Sequence, residues 1–286
     1  MDKKFIDLYD EYTHTPLDRR DFISRLTALA GSTAAASALL PLLENNYALA
    51  QIVPPGDARL DTSRITWAGA SGEIKGYLAK PKGAGKLPAV IVIHENRGLN
   101  PHIEDIVRRL ALEGFLALGP DLLSPLGGTP SDEDQARTLI GQLDGKQTVE
   151  NLVRTVSFLE QHAGSTGKVG AVGFCWGGGM VGSLAMASTD LDAGVVFYGR
   201  TPPLDDVPKI RAKLLLNYAG LDDRINEGIP AFEAALKKAN VAHTIHIYQG
   251  ANHAFNNDTN PARYDAAAAQ LAWSRTTEFL KTTLAG

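Results

Sequence analysis

One cysteine stands in this chain, and its neighbours single it out as a nucleophile. It lies in Gly173-Phe174-Cys175-Trp176-Gly177-Gly178-Gly179, after an apolar run at 169–172 and before a helical stretch starting at Met180. This is the nucleophile-elbow pattern G-x-S-x-G with cysteine in place of serine. A sharp strand-to-helix turn has no room for side chains two residues either side of the nucleophile, which accounts for the glycines. A thiol at that turn sits at a helix N-terminus, whose dipole favours the thiolate. Covalent catalysis by a thiolate needs a base, and the base needs an orienting acid. The run 214–217 leads into Tyr218-Ala219-Gly220-Leu221-Asp222-Asp223, and the run 244–248 leads into Gln249-Gly250-Ala251-Asn252-His253-Ala254-Phe255. A carboxylate and an imidazole thus fall just past strand ends, in the chain order Cys175, Asp222, His253 that α/β-hydrolases use. Asp222, nearer its strand than Asp223, is the expected orienting acid. Of the other histidines, His14, His102, His162, His243 and His246 lack this setting and are expected to be surface or packing residues. No H-E-x-x-H or comparable spacing occurs, so no metal and no cofactor is expected.

These residues need a scaffold that gathers strand ends. The run at 89–93, Ala-Val-Ile-Val-Ile, is continuous and β-branched, as for a strand covered on both faces. Similar runs lie at 115–118, 169–172, 194–197, 214–217 and 244–248. Between them, Ile103, Ile106, Val107 and Leu110 share one helical face, as do Val149, Leu152, Val153 and Val156. Strand and helix alternating through short Gly/Pro connections predict an α/β fold, a mostly parallel sheet with helices on both faces. Ligands in such a sheet bind outside the carboxyl ends of the strands. Residues 51–286 read as one catalytic domain, with 124–130 as a surface loop.

Composition narrows the function classes. The chain has 286 residues, 44% hydrophobic and 21% charged, which excludes extended disorder. Lys and Arg number 28 against 32 Asp and Glu, a net charge of −4 with no basic stripe, so nucleic acid is not an expected partner. One cysteine allows no intrachain disulfide and no cysteine-ligated structural zinc.

The first fifty residues differ from the rest. Arg19-Arg20-Asp21-Phe22-Ile23, a small-residue apolar run at 26–43 and Ala48-Leu49-Ala50 follow one another as in a twin-arginine export signal cut after Ala50, with the mature protein in the periplasm. The acidic stretch at 1–18 is long for such a signal, and the alternative is a cytoplasmic protein that retains an N-terminal helix. The apolar run is too short and too rich in Ser, Thr and Gly for stable membrane insertion.

Taken together, Ile93-His94-Glu95-Asn96-Arg97-Gly98-Leu99, the elbow, Phe197-Tyr198-Gly199, Gly220-Leu221-Asp222 and Ala251-Asn252-His253-Ala254-Phe255 resemble the dienelactone hydrolase (carboxymethylenebutenolidase) family. The resemblance covers nearly everything after residue 50. It implies an α/β-hydrolase fold, a Cys175–His253–Asp222 triad and a small-molecule lactone or ester as substrate. It also implies that Glu95 holds or takes the Cys175 thiol proton, and that the backbone N–H groups of Trp176 and Asn96 form the oxyanion hole. A broad-range carboxylesterase shares all of this. A redox or sensor thiol is the reading from another class, and the chain offers it no resolving cysteine. The chain departs from the family where an arginine soon after the histidine motif helps hold a substrate carboxylate. Here Asn256-Asn257-Asp258 follow, and the next arginine is Arg263. Arg97, Arg224 and Arg200 are expected to face the same mouth, with Tyr198 beside them, as substitutes; otherwise the arginines are solvated surface charges.

Overall fold

The computed structural model describes residues 1–49 and 51–285. Ala50, on which the expected cleavage falls, lies outside them. Eight strands form one sheet in the order β1-β2-β4-β3-β5-β6-β7-β8. These are β1 Leu60–Ala68, β2 Glu73–Pro81, β3 Leu87–Ile93, β4 Leu116–Asp121, β5 Ser165–Phe174, β6 Ala193–Phe197, β7 Lys213–Ala219 and β8 His243–Tyr248. The six strands from β3 to β8 cover the six apolar runs and pair in parallel with one another, while β2 pairs antiparallel with β1 and β4. Two apolar layers cover the two faces. Val90, Val92, Val172 and Val195 belong to one core, and Ile91, Ile93, Ala171 and Val196 to the other. Alternate residues of one strand therefore feed opposite layers, which is why these strands are apolar throughout.

The described residues also form ten α-helices: α1 Lys3–His14, α2 Arg19–Ala30, α3 Thr33–Leu43, α4 Pro101–Leu112, α5 Glu133–Gln142, α6 Gly145–Gln161, α7 Trp176–Ala187, α8 Asp223–Asn226, α9 Ile229–Lys238 and α10 Ala266–Leu284. The two expected amphipathic faces are those of α4 and α6, whose Ile103, Ile106, Val107, Leu110, Leu152 and Val156 are fully buried.

The N-terminal arm, α1 to α3, is a small core of its own. Asp2, Asp18 and Ser32 cap the three helices with side-chain acceptors. Leu8, Tyr9, Tyr12, Phe22, Leu26 and Leu43 pack together, with the Tyr12 and Phe22 rings stacked 4.4 Å apart. Among the described residues no single helix is long and apolar enough to cross a membrane, and α2 is bent by 116° from the segment that follows it. The arm is joined to the sheet domain by polar contacts. Tyr12 Oη donates to Asp134, Asn260 donates to the Leu43 carbonyl, and Arg263 donates to Asp10 at 2.7 Å.

Candidate active site

β5 ends at Phe174 and α7 begins at Trp176, so Cys175 alone makes the turn, with φ at 52°. A non-glycine residue held there is strained. Two backbone hydrogen bonds fix it, from Cys175 N–H to the Phe197 carbonyl at 3.0 Å and from Gly179 N–H to the Cys175 carbonyl at 3.2 Å. The glycines allow close backbone approach. A Cβ on Gly177 would strike the carbonyl oxygens of Ile93 and His94, and one on Gly173 would strike the Gly177 carbonyl. Backbone offers no flexible end that can move aside, so Gly177→Ala is expected to destabilise the fold by about 3 kcal/mol. Thermal unfolding should show a fall of about 6 °C or more for a chain of this size; an unchanged Tm would mean that the turn is looser than drawn here.

The loops after β7 and β8 meet at the same end of the sheet. His253 is buried and its Nδ1 donates to Asp222 Oδ2 at 2.5 Å, while its Nε2 has no hydrogen-bond partner. Asp223 instead opens α8. Burial opposes a charge on His253, but Cys175 and the Asp222 carboxylate outweigh it and push the imidazole up to about 10. Burial alone would raise the Asp222 carboxyl. The hydrogen bond and charge of His253, with Arg224 4.0 Å away, hold it below the usual carboxylate range instead. Tyr198, with φ at 40°, closes one side, its ring 5.0 Å from that of His253.

The arm contributes a residue to this cluster. His14, the last residue of α1, has its Nε2 3.2 Å from Cys175 Sγ, and its ring meets that of His253 edge-on at 4.6 Å. Its Nδ1 lies 2.8 Å from the Asp10 carbonyl, which can only accept, so the ring hydrogen is on Nδ1 and Nε2 presents its lone pair to the sulfur. Burial, then the charges of His253 and Arg224, hold His14 well below the ordinary imidazole range. The expectation that His14 is a surface or packing residue is therefore corrected. Donor atoms of His14, Cys175 and His253 all lie within 4.8 Å of one another. No spacing motif could reveal a set whose members are 161 and 78 residues apart.

Three further expectations change. Glu95 accepts from Asn257 Nδ2 at 2.9 Å, and Cys175 has His14 where the resemblance implied Glu95. Arg97 is not a solvated charge: it is buried, 3.5 Å from Glu133 and 3.6 Å from Asp134, and it lines a small recess with Cys175 and His253 instead of the main cavity. Arg263, apparently too late in the chain to matter, is buried against Asp10 and lines a small recess with Glu95 and Cys175.

A cavity of about 760 Å³ opens on Cys175, Trp176, Tyr198 and His253. Its walls mix apolar side chains such as Ile140 and Met180 with Arg137, Arg200 and Arg224, and residues Thr13 to Asp18 of the arm form one side. Asn96 lines it as well, its side-chain amide donating to the Thr13 carbonyl at 2.7 Å. As the first residue of α7, Trp176 has a backbone N–H with no acceptor inside its helix.

Comparison with known proteins places this architecture. The family model described as the dienelactone hydrolase family matches residues 74–284. A protein named "Putative carboxymethylenebutenolidase" from Escherichia coli O157:H7 is 37% identical over 221 residues, covering 72% of this chain and 81% of the relative. One of the same name from Saccharolobus solfataricus is 35% identical over 245 residues, covering 73% and 94%. Among solved structures, that of a dienelactone hydrolase homologue from Klebsiella pneumoniae superposes with a TM-score of 0.71 at 29% identity, covering 79% of this chain and 98% of that one.

Proposed function

The chain belongs to the dienelactone hydrolase family and is a hydrolase of ester or lactone bonds, and we propose that Cys175 is its nucleophile, His253 its base and Asp222 the carboxylate that orients that base. One observation carries the reading. The Asp222–His253 hydrogen bond leaves a buried Nε2 without a partner within 4.8 Å of Cys175 Sγ, which the elbow holds at a φ of 52°. His253 takes the Cys175 proton as the sulfur attacks.

The reaction then follows in two halves. The thiolate adds to the ester or lactone carbonyl, and the N–H groups of Trp176 and Asn96 receive the oxyanion. The alkoxide or enolate departs, taking the proton from His253 where it needs one, and a thioester remains on Cys175. His253, now neutral, takes a proton from water as the oxygen adds to the thioester carbonyl; the acid leaves and the sulfur recovers its resting state. Amides, whose leaving group is poorer, are disfavoured substrates.

The cavity bears on substrate class. Its volume and apolar walls suit neutral esters and lactones of some size, the broad-range carboxylesterase reading. Among its arginines, Arg224 lies 4.0 Å from Asp222 and keeps its side chain 39% exposed. For a matched pair of substrates differing by one carboxylate, Arg224→Ala is expected to lower kcat/KM of the anionic member about tenfold and to spare the neutral one, as for one charge-assisted hydrogen bond. Arg97→Ala is expected to lower Tm without changing that ratio, because its partners are Glu133 and Asp134. The opposite pattern would transfer the specificity role to Arg97.

We also propose that the arm is retained in the working enzyme. Removal after Ala50 would strip away His14 and a wall of the cavity. Of the arginine pair, Arg19 binds Glu44 at 2.7 Å and Asp134 at 3.3 Å, so it has a structural use inside the folded chain.

A further inference from the structure

Two imidazoles converge on one sulfur, and each is prepared in the same way. His14 gives its Nδ1 hydrogen to the Asp10 carbonyl and His253 gives its own to the Asp222 carboxylate. Both rings therefore turn Nε2 toward the sulfur, where each can ligate once it carries no proton, and outer hydrogen bonds to a carbonyl and a carboxylate are those that orient histidine ligands in metal sites. Hydrolysis by a cysteine triad uses one imidazole. The second has no part in that scheme, and His253 Nε2 is buried without a partner.

The geometry points to a site for a zinc ion on Cys175 Sγ, His14 Nε2 and His253 Nε2. Tetrahedral zinc with sulfur at about 2.3 Å and nitrogen at about 2.0 Å separates its ligand atoms by about 3.5 Å. His14 Nε2 is 3.2 Å from Cys175 Sγ, and the three donors fall within 4.8 Å of one another, so small side-chain rotations complete the set. Thiolate and imidazole select a borderline-soft ion over magnesium or calcium, which prefer oxygen. The fourth position faces the cavity, through which the ion enters and where water completes its coordination. On binding, the ion takes the place of the thiol proton, which leaves to solvent, and both lone pairs of the imidazoles are engaged. No group is oxidised or reduced.

The consequence for activity rests on the function proposed above: with its sulfur and base both ligated, the enzyme is switched off, and a chelator switches it on again. The binding itself does not rest on that function. The test uses the full-length chain stripped with a chelator. Cobalt(II) is expected to bind one equivalent and to give a thiolate-to-cobalt charge-transfer band that zinc displaces. Zinc is expected to abolish turnover of a neutral ester at the same stoichiometry. His14→Ala is expected to weaken zinc binding by about a hundredfold or more, the loss of one of three ligands costing at least as much as the 10- to 100-fold typical of an outer partner. His14→Gln keeps the length and a donor for the Asp10 carbonyl but has no ring nitrogen, and covers the case in which the alanine variant unfolds. Absence of the band in the wild type overturns the site, as does zinc affinity unchanged in a folded His14 variant. A band with cobalt together with no ester turnover by the metal-free wild type would leave the site standing and overturn the catalytic reading instead.

Discussion

Cys175→Ala is expected to reduce kcat for ester hydrolysis by about 10⁶, the scale on which removing a nucleophile acts when the base and oxyanion donors remain. KM should change little, since the sulfur is a small part of a cavity of about 760 Å³. Folding should survive, because the turn is held by the backbone bonds to Phe197 and Gly179, which a methyl side chain leaves in place. Cys175→Ser separates two ideas. A hydroxyl is far less acidic than a thiol and a weaker nucleophile, so His253 must remove its proton against a steeper cost as it attacks. The serine variant should therefore fall between wild type and alanine. Because the chain has one cysteine, iodoacetamide should inactivate it with one modified residue, and a substrate analogue should protect. Undiminished turnover in Cys175→Ala would falsify the nucleophile assignment and shift attention to a hydrolytic water.

The part of the molecule that was legible in the sequence is the part built by local rules. Strands β3 to β8 are apolar throughout because both faces of a parallel sheet are covered, and such runs stand out from their surroundings. Parallel topology then sends every strand's carboxyl end to one side, so Cys175, Asp222 and His253 could be placed together without knowing any packing. Strand β1 was not legible for the converse reason. It is an edge strand whose residues from Asp61 to Arg64 are all exposed, and Leu-Asp-Thr-Ser-Arg carries no strong apolar pattern. Its partner β2 is interrupted by Gly76, where a side chain would strike Trp67 and the Gly119 carbonyl.

The site's remaining residues come from outside that logic. His14 reaches Cys175 from the arm, and Asn257 and Arg263 reach the Glu95 region from the long loop before α10. What positions them is tertiary packing, which leaves no fixed spacing. A trace was nonetheless present: Phe5, Leu8, Tyr9 and Tyr12 lie on one face of α1 at helical intervals, and an apolar face ending at a histidine asks for a partner surface.

Deleting residues 1–50 is the change that tests this arm most severely. Asp10 leaves with it, and Arg263, 6% exposed and paired with Asp10 at 2.7 Å, loses its carboxylate. Stranding a buried cation costs about 3 kcal/mol or more. Phe22, Leu26 and Leu43 leave too, but their partners lie mostly within the arm, so the sheet core should stand. The chain from Gln51 onward is thus expected to fold with a Tm lower by about 6 °C or more. Its kinetic signature should differ from that of Cys175→Ala. One cavity wall disappears with residues Thr13 to Asp18, so KM should rise about tenfold while kcat holds within a few-fold, as when binding energy common to ground and transition states is lost. Asp10→Ala in the full-length chain should reproduce much of the fall in Tm and little of the rise in KM, because it removes the ion pair and leaves the wall. A truncated chain equal to the full one in Tm, kcat and KM would return the first fifty residues to the role of a disposable leader. The N-terminus of the protein made in its own cell, read by mass spectrometry, must then begin at Gln51, whereas retention requires that the chain still carry Asp10 and His14.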